Sequence, residues 1–280
     1  MVIHHQPKLT TAGLIVLAVI AGFLAASLPA AAADVASDET YGVGDLARDW
    51  WKDGIAVISE PPEWDRALLV LGVTAGLYHY DESIRDWVQS NRSDDSDRMA
   101  DLFNPLGNGV ASVPLLAGLY WYGKRHGDER AVTAGQLGLE SMAISGVLAQ
   151  GLKYAAGRHR PNSGDPHDVW DGPGFSPDKY QSFPSFHTTT AFAAATVIAS
   201  VYKEDRFIPP LAYGAAALTG WSRLNDDAHW ASDVFCGAVI GYTVAKRVLK
   251  RHSGQTAKTG FELVPIAGAG GGGIAVMVRF

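Results

Sequence analysis

A single cysteine, Cys236, in 280 residues excludes an intramolecular disulfide framework and any zinc cage built on thiolates. No block of Lys and Arg stands out among 23 basic and 29 acidic residues. With a formal net charge of −6, the chain is a poor general nucleic-acid binder. β-Branched runs are scarce and no tandem repeat recurs, so neither a strand-rich domain nor a repeat array is expected. Apolar residues are not lacking: at 47% they suffice for a buried core, and intrinsic disorder is excluded. The length fits one medium domain, or at most two.

The N-terminal stretch 1–33 has the layout of a secretory signal peptide. Lys8 gives a weakly positive start, residues 12–28 are uncharged and strongly apolar, and Pro29 precedes four alanines ending at Ala33. Cleavage near Ala33 is expected, with an uncleaved membrane anchor as the alternative. A polar N-terminal extension, 34–63, follows and ends at Pro61-Pro62. Six apolar segments then show helical rather than alternating patterning: 67–80, 107–122, 131–156, 187–202, 208–221 and 229–248. The fold expected for 64–252 is therefore all-α, a helical bundle of about six core helices with its site at one end. Cys236 reads as a small core residue within it. The linker 90–101, with Asp94, Asp95 and Asp97 beside Arg92 and Arg98, reads as a solvated loop. The long linker 162–183 is rich in Gly, Pro and Asp, as functional loops often are. In the tail 253–280, residues 261–266 and 274–280 read as a small C-terminal β-hairpin around a Gly-rich turn.

Three clusters at helix ends carry the chemistry. In the first, Lys153 lies in the last turn of a helix that Gly157 and Pro161 terminate, with Arg160 just beyond. The second is Pro184-Ser185-Phe186-His187. There Ser185 reads as an N-cap, and free backbone N–H groups favour an anion. The third is Ser222-Arg223, then His229 and Asp233. On a helix the last two, four apart, share a face, and the carboxylate could hold the imidazole in one tautomer. Lys153, Arg160 and Arg223 together can surround a phosphate, the guanidiniums bidentately. Two histidines can divide the work, one attacking phosphorus and the other protonating the leaving oxygen. No metal or cofactor is required where three cations offset the phosphoryl charge.

The spacings K-x6-RP at Lys153–Pro161, P-S-x-H at Pro184–His187 and SR-x5-H-x3-D at Ser222–Asp233 resemble the signature of the type 2 phosphatidic acid phosphatase superfamily. That superfamily includes lipid phosphatases, class A acid phosphatases and vanadium haloperoxidases, on an α-helical bundle. The resemblance implies that His229 is the nucleophile forming a phosphohistidine, that Asp233 orients it and that His187 is the general acid. It implies phosphoryl binding by Lys153, Arg160, Ser185, Arg223 and the backbone N–H of Phe186. One departure stands out: the family usually has Gly where this chain has Phe186. Phe keeps the donor but not the tolerance of positive φ, and its ring could narrow the pocket or touch an apolar substrate.

The expected function is a metal-independent phosphatase acting on phosphate monoesters or diphosphates, with a lipid-linked substrate favoured by the apolar helices. Trp170, Phe175 and Tyr180 of the long linker could cover the leaving group. The alternatives are a soluble, non-specific periplasmic acid phosphatase, then a haloperoxidase or an inactive envelope scaffold. Most segments fall short of the roughly 20 apolar residues a span needs. Mean hydropathy is only +0.02 with the N-terminal run included. Loops away from the motifs hold nine Lys/Arg against four Asp/Glu, which fits a cytoplasmic face. Counting crossings from a cleaved signal, however, puts those loops outside. The expected location is the periplasm, soluble or peripheral to a membrane surface, with insertion in the bilayer as the close alternative. The sequence does not set the oligomeric state.

Overall fold

The computed structural model describes residues 43–60, 64–174, 177–253, 260–268 and 271–279. The expected signal peptide lies outside them. The described residues contain eight α-helices: α1 Val43–Ser59, α2 Trp64–Ser90, α3 Asp94–Gly107, α4 Ser112–His126, α5 Glu129–Ala156, α6 Phe186–Val201, α7 Ile208–Asn225 and α8 Ala231–Ser253. This is the all-α bundle expected from the sequence. Strands β1 (Gly260–Gly268) and β2 (Gly271–Arg279) close the chain as an antiparallel pair, with Leu263 opposite Val276.

The acidic linker is a correction to the sequence reading. Residues from Asp94 onward form α3 rather than a solvated loop, because Ser93 and Ser96 make a reciprocal capping box. Asp94, Asp95 and Asp97 occupy the first turn, where carboxylates complement the helix dipole. The polar extension carries a short amphipathic stretch around Leu46 to Val57, and the helix α1 spans it. That helix is held to α8 by Arg251, which donates to Asp53 at 2.6 Å, and by Arg247, which donates to the Val57 carbonyl at 2.5 Å.

Helix α6 is the centre of the bundle, packed against α5, α7 and α8. It is rich in alanine and threonine, and most of its residues are buried. Val57, Leu137, Ile144, Val197, Val244 and Val248 form an apolar core beside it. Its neighbours approach so closely that hydrogen is the largest group that fits at several crossings. A Cβ on Gly107 would lie 2.6 Å from the His187 Cβ, one on Gly237 2.6 Å from the Ser185 carbonyl oxygen, and one on Gly241 closer still to that of Thr189. Thr190 adds a hydrogen bond from Oγ1 to the Gly107 carbonyl at 2.5 Å. These contacts fix the N-terminal end of α6 within the bundle.

Candidate active site

The C-terminal ends of α5 and α7 and the N-terminal ends of α6 and α8 meet at one end of the bundle. Lys153 lies in the last turn of α5, and Gly157 stops that helix at φ 58°, a left-handed conformation that suits glycine. The Lys153 side chain is buried and donates from Nζ to the carbonyls of Gln181 at 2.5 Å and Ser182 at 3.2 Å. Arg160 follows in extended backbone and gives Nε and Nη2 to the carbonyl and carboxylate of Asp178, at 2.8 and 2.7 Å.

Ser185 caps α6, its Oγ accepting from the Thr188 N–H at 3.4 Å. Phe186 and His187 open the helix, where N–H groups have no acceptor within the helix itself. Because Phe186 has helical backbone, this position does not call for glycine. Its ring is accommodated by Gly146 on α5, where a Cβ would come within 3.2 Å of it. The glycine missing from the motif is thus matched by one across the helix interface.

Arg223 closes α7, with Nε donating to Ser222 Oγ at 3.2 Å and Nη2 to the Asp226 carboxylate. His229 corrects the sequence reading, because it stands in the connection before α8 and not on the helix. The reason lies in Asp233. Its Oδ2 accepts from the Trp230 N–H at 3.0 Å, as a capping carboxylate does at a helix start. The His229 Nδ1 is 3.9 Å from that oxygen, beyond hydrogen-bond reach. Ser182 stands between them: its Oγ donates to Asp233 Oδ2 at 2.5 Å and lies 3.4 Å from His229 Nδ1. A further bond, from the Ser185 N–H to the Asp233 carbonyl at 3.1 Å, ties the second motif to the third.

Beneath the histidines lies a buried ionic network that sequence reading missed. Arg158 is fully buried and donates to Asp233 Oδ1 at 2.6 Å, Asp81 Oδ2 at 2.8 Å, Ser232 Oγ at 2.8 Å and the His167 carbonyl at 2.9 Å. The rings of Tyr78 and Trp170 each have their centroid 4.9 Å from the guanidinium carbon. Trp170, considered as a cover for the leaving group, is thus used on Arg158, and Tyr180 stacks on His159 at 4.1 Å. Phe175 lies outside the described residues.

The charges of the three motifs act on one another. Burial first, then the charges of Arg223, Lys153 and Arg160, push His187 down to about 4. His229 is lowered by burial, Lys153 and Arg160. Burial would raise the Asp233 carboxyl, but Arg158 and the hydrogen bonds it accepts outweigh burial and hold it low. Burial and the neighbouring Arg160 bring Lys153 down to about 7. An oxyanion among these cations would restore the Lys153 charge. Its binding at pH 8 should therefore take up a proton, and affinity should fall as pH rises from 7 to 9. Titrating tungstate calorimetrically in buffers of different ionisation heat should show that uptake, and Lys153→Met should abolish it.

Among the described residues, the one group of His and carboxylates close enough to share a metal ion is Asp53, Glu140 and His252. It involves the last turn of α8, whereas the motifs converge on the first.

Residues 137–256 match the family model of the PAP2 superfamily, a segment that contains all three motifs and bears out the resemblance. Over 140 residues the chain is 34% identical to the lipid A 1-phosphatase of Porphyromonas gingivalis, covering 48% of this chain and 28% of that protein. It is 33% identical over 136 residues to lipid phosphate phosphatase 1 of Arabidopsis thaliana, covering 38% and 41%. The chain thus spans less than half the length of these relatives. Among solved structures it is similar to LpxE of Aquifex aeolicus, at 26% identity and a TM-score of 0.49, covering 61% of this chain and 94% of that one. A PAP2-type phosphatidylglycerolphosphate phosphatase of Bacillus subtilis is 18% identical with a TM-score of 0.48, covering 73% and 98%.

Proposed function

We propose that this chain is a phosphatase that hydrolyses a lipid-linked phosphate monoester or diphosphate through a phosphohistidine, without a metal. The observation that carries this reading is the convergence of the three motifs at one end of the bundle, where burial, Lys153 and Arg160 depress both imidazoles and Arg223 adds to the effect on His187. A neutral His229 has a nucleophilic lone pair at neutral pH. The phosphate dianion offsets the cations that depress His187, so His187 takes up a proton as substrate binds. The His229 Nε2 then attacks phosphorus, the bond to the leaving oxygen breaks, and His187 delivers that proton to the oxygen. Water then attacks the phosphohistidine, gives its proton back to His187 and releases inorganic phosphate. Lys153, Arg160, Arg223 and the N–H groups opening α6 stabilise the charge on the phosphoryl oxygens. Arg160 and Arg223 also pair with Asp178 and Asp226, so a substrate phosphate competes with these carboxylates for the two guanidiniums.

Two features support a lipid substrate at a membrane surface. The named relatives of similar sequence are a lipid A 1-phosphatase and a lipid phosphate phosphatase. Large apolar side chains are also exposed on α2 and α4, among them Leu68, Leu69, Trp87, Leu115 and Trp121. No described helix is by itself long and apolar enough to cross a bilayer, although α3 and α4 would pass together, bent by 52°. On this reading the domain 64–252 works outside the cytoplasm once the leader 1–33 is removed.

Purified protein in chelator should release phosphate from a detergent-dispersed lipid phosphate, and vanadate should inhibit it. Turnover of that lipid should exceed turnover of a water-soluble phosphate ester at least tenfold in kcat/KM. The reverse order would replace the lipid reading with that of a non-specific acid phosphatase.

A further inference from the structure

We propose that Ser182 is a positioning residue for His229, the hydroxyl through which Asp233 fixes the tautomer of that imidazole. This inference rests on the nucleophile reading of His229 above. Asp233 does not reach the ring itself, its nearest oxygen being 3.9 Å from Nδ1. The Ser182 hydroxyl lies between them, 2.5 Å from Asp233 Oδ2 and 3.4 Å from His229 Nδ1, and Ser182 is fully buried. Ionised Asp233 can only accept, so the Ser182 proton is committed to the carboxylate. The serine oxygen is then left as an acceptor towards the ring. Nδ1 must carry the ring proton, and Nε2 keeps the lone pair that attacks phosphorus. The chain of donors runs one way, from Nδ1–H to Oγ and from Oγ–H to Oδ2, and it ends on a charge.

The first motif holds this hydroxyl in place. The Ser182 N–H donates to the Arg158 carbonyl at 2.8 Å, and its own carbonyl accepts from Lys153 Nζ at 3.2 Å. Arg158 also binds the other oxygen of Asp233 at 2.6 Å. The motif that supplies a phosphate-binding lysine therefore also fixes both partners of the histidine.

The test pairs Ser182→Ala with Ser182→Cys, which keeps a side chain of similar shape with a weaker donor. Ring ¹⁵N shifts of His229 should report the Nδ1–H tautomer in the parent protein and a mixture in Ser182→Ala. On a lipid phosphate, Ser182→Ala should lower kcat by about 10- to 100-fold with KM within about threefold. Ser182→Cys should fall between the two. A parent-like tautomer and kcat in either folded variant would overturn the proposal. His229→Ala, run alongside, keeps the two readings apart. If it is inactive while Ser182→Ala is fully active, Ser182 has no such role and the nucleophile stands. If it is active, the nucleophile reading fails, and the nitrogen shifts alone decide whether Ser182 sets the tautomer.

Discussion

His229→Ala should lower phosphate release by on the order of 10⁴- to 10⁶-fold, the loss typical of deleting a nucleophile whose partners act as one unit. His229 is almost completely buried, and its surroundings are arranged to keep it neutral and aimed. Burial, Lys153 and Arg160 all disfavour its protonation. Removing the imidazole leaves the cationic cradle intact, so oxyanion binding should survive within a few-fold. Measuring turnover and tungstate affinity on the same variant separates these roles. Activity within tenfold of the parent would refute the nucleophile assignment. Acid-labile radiolabel trapped from a phosphate-labelled lipid should appear in the parent protein and be absent from His229→Ala.

Replacing Arg158 should have the largest effect on stability. This guanidinium is the shared counter-charge of two carboxylates, Asp81 and Asp233, and all three side chains are fully buried. Arg158→Met keeps the volume and leaves both carboxylates uncompensated, a change that typically costs about 3–5 kcal/mol. The pH dependence gives a second check. In the parent, Asp233 titrates below its ordinary value, so it adds stability above the carboxylate range and loses it as pH falls. Asp81 is already raised by burial despite Arg158, and without that charge burial drives Asp81 further up and Asp233 above its ordinary range as well. The folded variant then holds protons the unfolded chain has released, and its stability falls as pH rises. The deficit against the parent should therefore be larger at pH 7 than at pH 5. Urea midpoints at the two pH values measure this, and an equal midpoint for variant and parent at pH 7 would contradict it.

What the sequence revealed and what it concealed divide along the range of the interactions. Gly157, Pro161 and Ser185 are local punctuation, so the C-terminal end of α5 and the start of α6 were legible from the sequence, and with them the placing of Lys153 and His187. The first turn of α3 depends on an equally local capping box. There the acidic run drew attention to solvent, when the helix dipole was the better explanation. The His229–Asp233 spacing suggested a helical face. Instead, Asp233 uses one oxygen on the Trp230 N–H, leaving His229 outside the helix. Arg158, Asp81 and Ser182 carried no comparable mark. Their partners are 77 and 51 positions away, and only the closed bundle brings them together. Arg158 had one faint trace, its place directly after the helix-ending glycine. Ser182 had only its nearness to the second motif.

The glycine crossings along α6 bear on how such a domain can diversify. Where backbone meets side chain or backbone with only hydrogen between them, any larger residue displaces the helix bearing His187, so drift at Gly107, Gly237 and Gly241 is closed off. The connection between α5 and α6 runs from residue 157 to 185, and around Pro166 and Asp168 its side chains are partly exposed, although Arg158 holds the His167 carbonyl between them. A lineage exploring new leaving groups would rewrite that exposed stretch alone and leave Arg158, Arg160 and Ser182, which lie in the same connection, unchanged with the bundle, as interchangeable bits are fitted to one drill.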